Sequence, residues 1–100
     1  MIAEKVADTD AKTLKDMVDK LREEIESGVV ALGSNIQGKG LIVAGVTSNL
    51  TDSLSAGNLV KEAAVEGGGK GGGRADFAQA GGIEPSKLNQ SLEKIFTLVS

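Results

Sequence analysis

The chain has 100 residues and a formal net charge of −3, enough for one domain around one hydrophobic core and without a whole-molecule basic field for nucleic acid. It has no cysteine and no histidine, which excludes disulfides, zinc sites built on those residues, thiol catalysis and histidine-based triads. Phe77 and Phe96 are the only aromatic residues, so aromatic platforms for stacking bases are excluded too.

In chain order, Ile2 to Ala7 reads as a short strand, and Asp8-Thr9-Asp10 supplies helix N-caps. From Ala11 to Ser27 the pattern is helical: Leu14, Met17, Val18, Leu21 and Ile25 recur at spacings of three and four and share a face. Lys12, Lys15, Asp16, Lys20, Glu23 and Glu24 lie mostly off that stripe, as its solvated side. Gly28 stands where a left-handed C-terminal cap is expected. Val29 to Leu32 and Leu41 to Val46 are short continuous apolar runs, read as two buried strands. The polar loop Gly33 to Gly40 joins them as a hairpin. Strand, helix and strand form a βαβ crossover, so the sheet is mixed.

Thr47 to Ser53 is turn material. Ser53 or Ser55 caps a second helix to about Glu66, with Ala56, Leu59, Val60, Ala63 and Ala64 on one face, and Gly67 to Gly73 stops it. Ala75 to Ala80 reads as an edge strand. Pro85 opens the last helix at the position where its missing N–H costs nothing, and Leu88, Leu92, Ile95, Phe96 and Val99 form its buried stripe. The expected fold is a single α/β domain over residues 1–100, with a mixed sheet of three to five strands packed with three helices.

Two glycine segments invite a phosphate reading. Gly33 to Gly40 nearly matches the P-loop pattern G-x-x-x-x-G-K-[ST], but its last position is Gly40, which has no hydroxyl for Mg²⁺, and a strand follows where a P-loop opens a helix. A hairpin turn is the better reading. Gly67 to Gly82 is denser, with eight of the chain's 14 glycines in 16 residues. Without Cβ atoms its amides can turn inward as an anion nest. Lys70 supplies a point charge, Arg74 can grip a phosphate through two parallel hydrogen bonds, and Gln79 can meet a base edge or a ribose hydroxyl. The candidate nucleic-acid-binding residues are Gly68, Gly69, Lys70, Gly71, Gly72, Gly73, Arg74 and Gln79. No catalytic or metal-binding residue is expected.

The segment Gly68-Gly69-Lys70-Gly71-Gly72-Gly73-Arg74-Ala75-Asp76-Phe77-Ala78-Gln79-Ala80-Gly81-Gly82 resembles the signature of the DHHA1 domain at the C-terminal end of bacterial alanyl-tRNA synthetases, G-G-K-G-G-G-R-x-D-x-A-Q-A-G-G, at every fixed position. Leu50-Thr51-Asp52 and Ala56-Gly57 also fall where that family has them. The resemblance implies a C-terminal domain, itself without catalytic activity, that contacts the outer corner of tRNA and links aminoacylation with editing. It implies alanine-specific tRNA as partner, together with the catalytic and editing domains of the same synthetase. ATP and zinc would belong to those other parts, and no cofactor is expected in this domain. Most of the family's helical dimerisation segment is expected to be absent, since the first strand begins almost at Met1. Related domains in phosphodiesterases carry a His where this chain has Arg74, which favours the synthetase branch. The alternatives are a structural or homodimerisation module using the apolar helix stripes, and the substrate-binding domain of a phosphodiesterase.

No apolar run approaches the roughly 20 residues needed to span a bilayer, and Met1 to Lys5 lacks the basic flank and apolar stretch of a signal peptide. A cytoplasmic location without a membrane partner is expected.

Overall fold

The computed structural model describes residues 2–6 and 9–99; the parts of the first strand and its following cap that were expected at Ala7 and Asp8 lie outside the described residues. Five strands, β1 (Ile2–Lys5), β2 (Val29–Ile36), β3 (Lys39–Val46), β4 (Lys70–Gly73) and β5 (Phe77–Ile83), form one sheet in the order β1-β2-β3-β5-β4. β1 and β2 are parallel and the other pairs antiparallel. Three helices, α1 (Ala11–Glu24), α2 (Ala56–Gly67) and α3 (Leu88–Val99), pack on its two faces. The mixed sheet and three helices agree with the expected fold.

Helix α1 begins where its cap places it: the Asp10 carboxylate accepts a hydrogen bond from the Thr13 amide at 2.8 Å. It ends at Glu24, before the expected Ser27. Glu23, Glu24 and Glu26 put negative charge at the negative end of the helix dipole, and Ile25 leaves the helix in extended conformation. Ile25 therefore occupies the cap position expected of Gly28. Gly28 instead opens β2, with φ +155° and its amide donating to Thr47 Oγ1.

The β2–β3 hairpin is longer than the apolar runs suggested. Gly33 to Ile36 pair in register with Lys39 to Ile42, so the expected polar loop shrinks to Gln37 and Gly38. Both have positive φ, 51° and 79°, as the tight turns that match strand twist require. The strand after Gly40 rules out a P-loop helix. Both faces of β2 and β3 are covered, which explains their unbroken apolar runs. Leu14 and Val18 of α1 meet Val30, Leu32 and Val43 on one face, while α2 and α3 meet Val29, Ala31, Ile42 and Ala44 on the other.

Two other expectations change. The strand near Ala75 to Ala80 runs from Phe77 to Ile83 and lies inside the sheet, because Lys70 to Gly73 adds the edge strand β4 beyond it. Pro85 starts a 3-10 turn, Pro85–Lys87, and α3 follows. In α3, Leu88, Leu92 and Ile95 are buried and Val99 partly so, but Phe96 is 53% exposed. It sits one residue, about 100° of helix, beyond the stripe, and Ser91 is buried in its stead.

Candidate functional site

The helices cover the sheet unequally. α2 and α3 together span one face from β1 to β4, whereas α1 lies over β2 and β3. The second face is therefore open over β5 and β4, where the glycine segment lies. Pleating divides the residues of that hairpin between the two faces. Ala78 and Ala80 point into the core under α2, and their partners Gly73 and Gly71 point the same way. A Cβ built on Gly73 would stand 2.7 Å from that of Ala78. Gln79, paired with Val43 of the α1 side, points to the open face with its other partner Gly72. Lys70 and Gly81, the next bonded pair on that face, follow the same direction by alternation.

The open face is thus a glycine-floored shelf. A Cβ at Gly72 or Gly81 would meet nothing within 4 Å. Lys15, Gly72, Gly73, Arg74, Phe77 and Gln79 line a shallow cavity of about 250 Å³ there. Lys70 continues the shelf along the edge strand, exposed. Arg74 stands at the turn that joins β4 to β5, with 76% of its side chain exposed.

A bulge keeps the arrangement in register. Between the pairs Gly40–Ile83 and Ile42–Ala80, β5 carries one extra residue. Gly82 has φ +68°, which glycine adopts without strain. The extra residue reverses the alternation, so Ile83 returns to the core under α2 and α3.

The expected anion nest is not formed. Lys70 to Gly73 are an extended strand paired with β5, and Gly68 is the left-handed cap of α2, with φ +80°. Gly69 lies behind the hairpin, its amide donating to Ala64 O at 2.8 Å. Nor is the N-terminus of α2 open to an anion: the Ala56 and Gly57 amides donate to the carbonyls of Ala75 and Arg74, at 2.8 and 3.0 Å, and Ser55 Oγ accepts from Asn58. What the glycines provide is a flat floor. Lys70, Gly72, Arg74 and Gln79 are brought together on it, Gly71 and Gly73 face the packed side, and Gly68 and Gly69 lie at the helix end.

Lys15 joins the shelf from α1, although its spacing alone groups it with the solvated side of that helix. The signal was present: Lys15, Asp19 and Arg22 are spaced to share one flank, and that flank meets Arg74 and Phe77. Among the described residues, no group of three or more acidic side chains comes together as a metal cluster, and no helix is long and apolar enough to cross a membrane.

The same overall fold occurs in a solved domain. The C-Ala domain from Aquifex aeolicus alanyl-tRNA synthetase matches with a TM-score of 0.90 and 28% identity, over 99% of this chain and 90% of that one. The chain belongs to the DHHA1 domain family, whose model matches residues 1–100. It is 48% identical over 100 residues to the alanine–tRNA ligase of Natranaerobius thermophilus, and 50% identical over 91 residues to that of Anaeromyxobacter dehalogenans. These alignments take in 99% and 91% of this chain but only 11% and 10% of the ligases. The chain spans about a tenth of the length of the curated relatives it matches.

Proposed function

We propose that this chain is a tRNA-binding C-terminal domain of an alanyl-tRNA synthetase, and that the glycine-floored shelf is its RNA contact. The observation that carries the reading is the division of the hairpin: alternate glycines leave one face without side chains, and Lys15, Lys70, Arg74 and Gln79 stand around it. A bare floor lets a sugar–phosphate backbone approach the sheet closely. Lys70 and Arg74 are four residue steps apart, about 13 Å in extended chain at 3.3 Å per step, a spacing suited to different phosphates of one strand. Gln79 lies between them and supplies a neutral hydrogen-bonding group for a ribose or base. The fold likeness to a C-Ala domain and the identity to alanine–tRNA ligases support tRNA as the nucleic acid. By the same likeness the domain works in the cytoplasm beside the catalytic and editing domains of its synthetase, contacts the outer corner of tRNA, and links the two activities; ATP and zinc belong to those other domains.

The test is a titration of an alanine-accepting tRNA at several salt concentrations. The Lys70→Ala, Arg74→Ala double variant should bind about tenfold or more weakly. The slope of log affinity against log salt should become shallower by about 1.4 to 1.8, because two phosphate contacts are lost. Equal affinity and equal slope for the two proteins would overturn the reading.

A further inference from the structure

One group of interactions on the open face lies beside the shelf and is built across 54 residues of sequence. Arg22 of α1 lies down on the sheet, with 20% of its side chain exposed. Gly45 of β3 makes room for it: a Cβ there would stand 3.2 Å from Arg22 Cδ. The guanidinium carbon is 5.3 Å from the centre of the Phe77 ring, within cation–π reach. One terminal nitrogen, Nη1, donates to the backbone carbonyl of Asp76 at 2.7 Å and faces the carboxylate Oδ2 at 3.7 Å. The other, Nη2, bonds Asp19.

The second carboxylate oxygen of Asp76, Oδ1, faces Arg74 Nε at 3.4 Å. Asp76 thus stands between two arginines, one half-sunk in the sheet and one exposed. Its contact with Arg74 is to the inner nitrogen, and the two terminal nitrogens of Arg74 have no partner among the described residues. Those are the donors of a two-pronged grip on phosphate. We propose that Arg22 and Asp76 are positioning residues: Arg22 fixes Asp76, and Asp76 holds the guanidinium of Arg74 by its inner edge so that the outer edge faces RNA. This rests on the reading of the shelf as an RNA contact.

The expected effect of changing Asp76 is opposite in sign to that of plain electrostatics. Asp76→Asn removes a negative charge beside an anion site, which on charge alone tightens RNA binding. If Asp76 positions Arg74, the same change weakens it, by about two- to fivefold, the range that coupling between exposed ion pairs supports. The Asn variant keeps the backbone carbonyl that Arg22 bonds, so the turn is retained. The measurement is the affinity of this chain for an alanine-accepting tRNA, with and without Arg74→Ala in the background. The expected result is weaker binding on Asp76→Asn when Arg74 is present, and no weakening in the Arg74→Ala chain. Arg22→Lys, which keeps the charge but loses the fork, is expected to behave in the same way.

Tighter or unchanged binding by Asp76→Asn overturns the positioning role, as does equal weakening in both backgrounds. In either case a loss of affinity on Arg74→Ala alone leaves the shelf reading standing. If Arg74→Ala has no effect the positioning role falls, and the shelf reading is then decided by the Lys70→Ala, Arg74→Ala double variant. A readout without RNA runs in parallel: the Nε–H resonance of Arg74 should show slower local motion in the wild type than in Asp76→Asn, and equal mobility in the two also overturns the proposal.

Discussion

On the inner face of the β4–β5 hairpin, Gly71 and Gly73 lie against Ala80 and Ala78 beneath α2; on the outer face, Gly72 and Gly81 look into open space. The residue type is the same and its use is opposite. Inside, a Cβ would run into Ala80 or Ala78 of β5, so the residue there is chosen by packing. Outside, a Cβ would meet nothing within 4 Å, so no packing contact calls for its absence; under the proposed function the bare positions serve the approach of RNA. On that reading the glycine-rich motif carries two overlapping signals, one structural and one for a ligand, separated by the period of two of a strand.

The largest expected effect tests the inner face. Gly57, on the first turn of α2, would place a Cβ 2.6 Å from the carbonyl oxygen of Gly73. Alanine inside a helix is favoured over glycine by about 1 kcal/mol, but overpacking against backbone costs about 1–3 kcal/mol. Here the obstacle is also tied to the carbonyls that satisfy the first amides of α2. The clash should win, so that Gly57→Ala lowers the thermal midpoint by several degrees, at about 4–8 °C per kcal/mol for a domain of this size. An unchanged midpoint in a thermal melt would break the comparison, since the helix and hairpin would then have room to part.

The outer face gives a smaller effect of a different kind. Gly72→Leu should leave stability within about 0.5 kcal/mol of wild type, as surface changes usually do, while filling the floor of the shelf. Its affinity for tRNA should fall about fivefold, or about 1 kcal/mol. A melt and a titration on the same sample check both halves. A large loss of stability would show that Gly72 belongs with the inner glycines; unchanged affinity would show that nothing approaches the floor.

The same division explains what the amino-acid sequence could reveal. The helices were legible because Leu14 and Val18, Leu59 and Ala63, and Leu88, Leu92 and Ile95 repeat at helical spacing. The central strands were legible because burial on both faces leaves unbroken apolar runs. β4 was not: Lys70-Gly71-Gly72-Gly73 has no alternation, since the side chains that would mark inside and outside are missing. It becomes a strand because β5 offers it an edge and α2 packs behind it, both of them tertiary facts. Lys70, Arg74 and Gln79 stood out in the motif itself. Arg22 and Asp76 did not, because only the crossing of α1 over the sheet brings them together.

The smallest expected effect concerns the cover of the outer face. Among the described residues α1 is the helix that packs on that side, and its first turn is fastened by Asp10. Hydrogen bonds from the Thr13 side chain, and then from the Thr13 amide, hold the Asp10 carboxyl below the usual carboxylate range. A folded-state value below the unfolded one means that the charged carboxylate is favoured by folding. Its contribution is present above the unfolded value and is lost as pH falls through the folded one. Asp10→Ala should therefore lower the thermal midpoint slightly at neutral pH, where the cap is charged. The gap between the two proteins should narrow as the solution is acidified through the carboxylate range and close below it. The inner glycines carry no titrating group, so the deficit of Gly57→Ala should persist over the same pH series. A gap for Asp10→Ala that stays constant into acid would mean that Asp10 holds α1 by its hydrogen bonds whatever its charge.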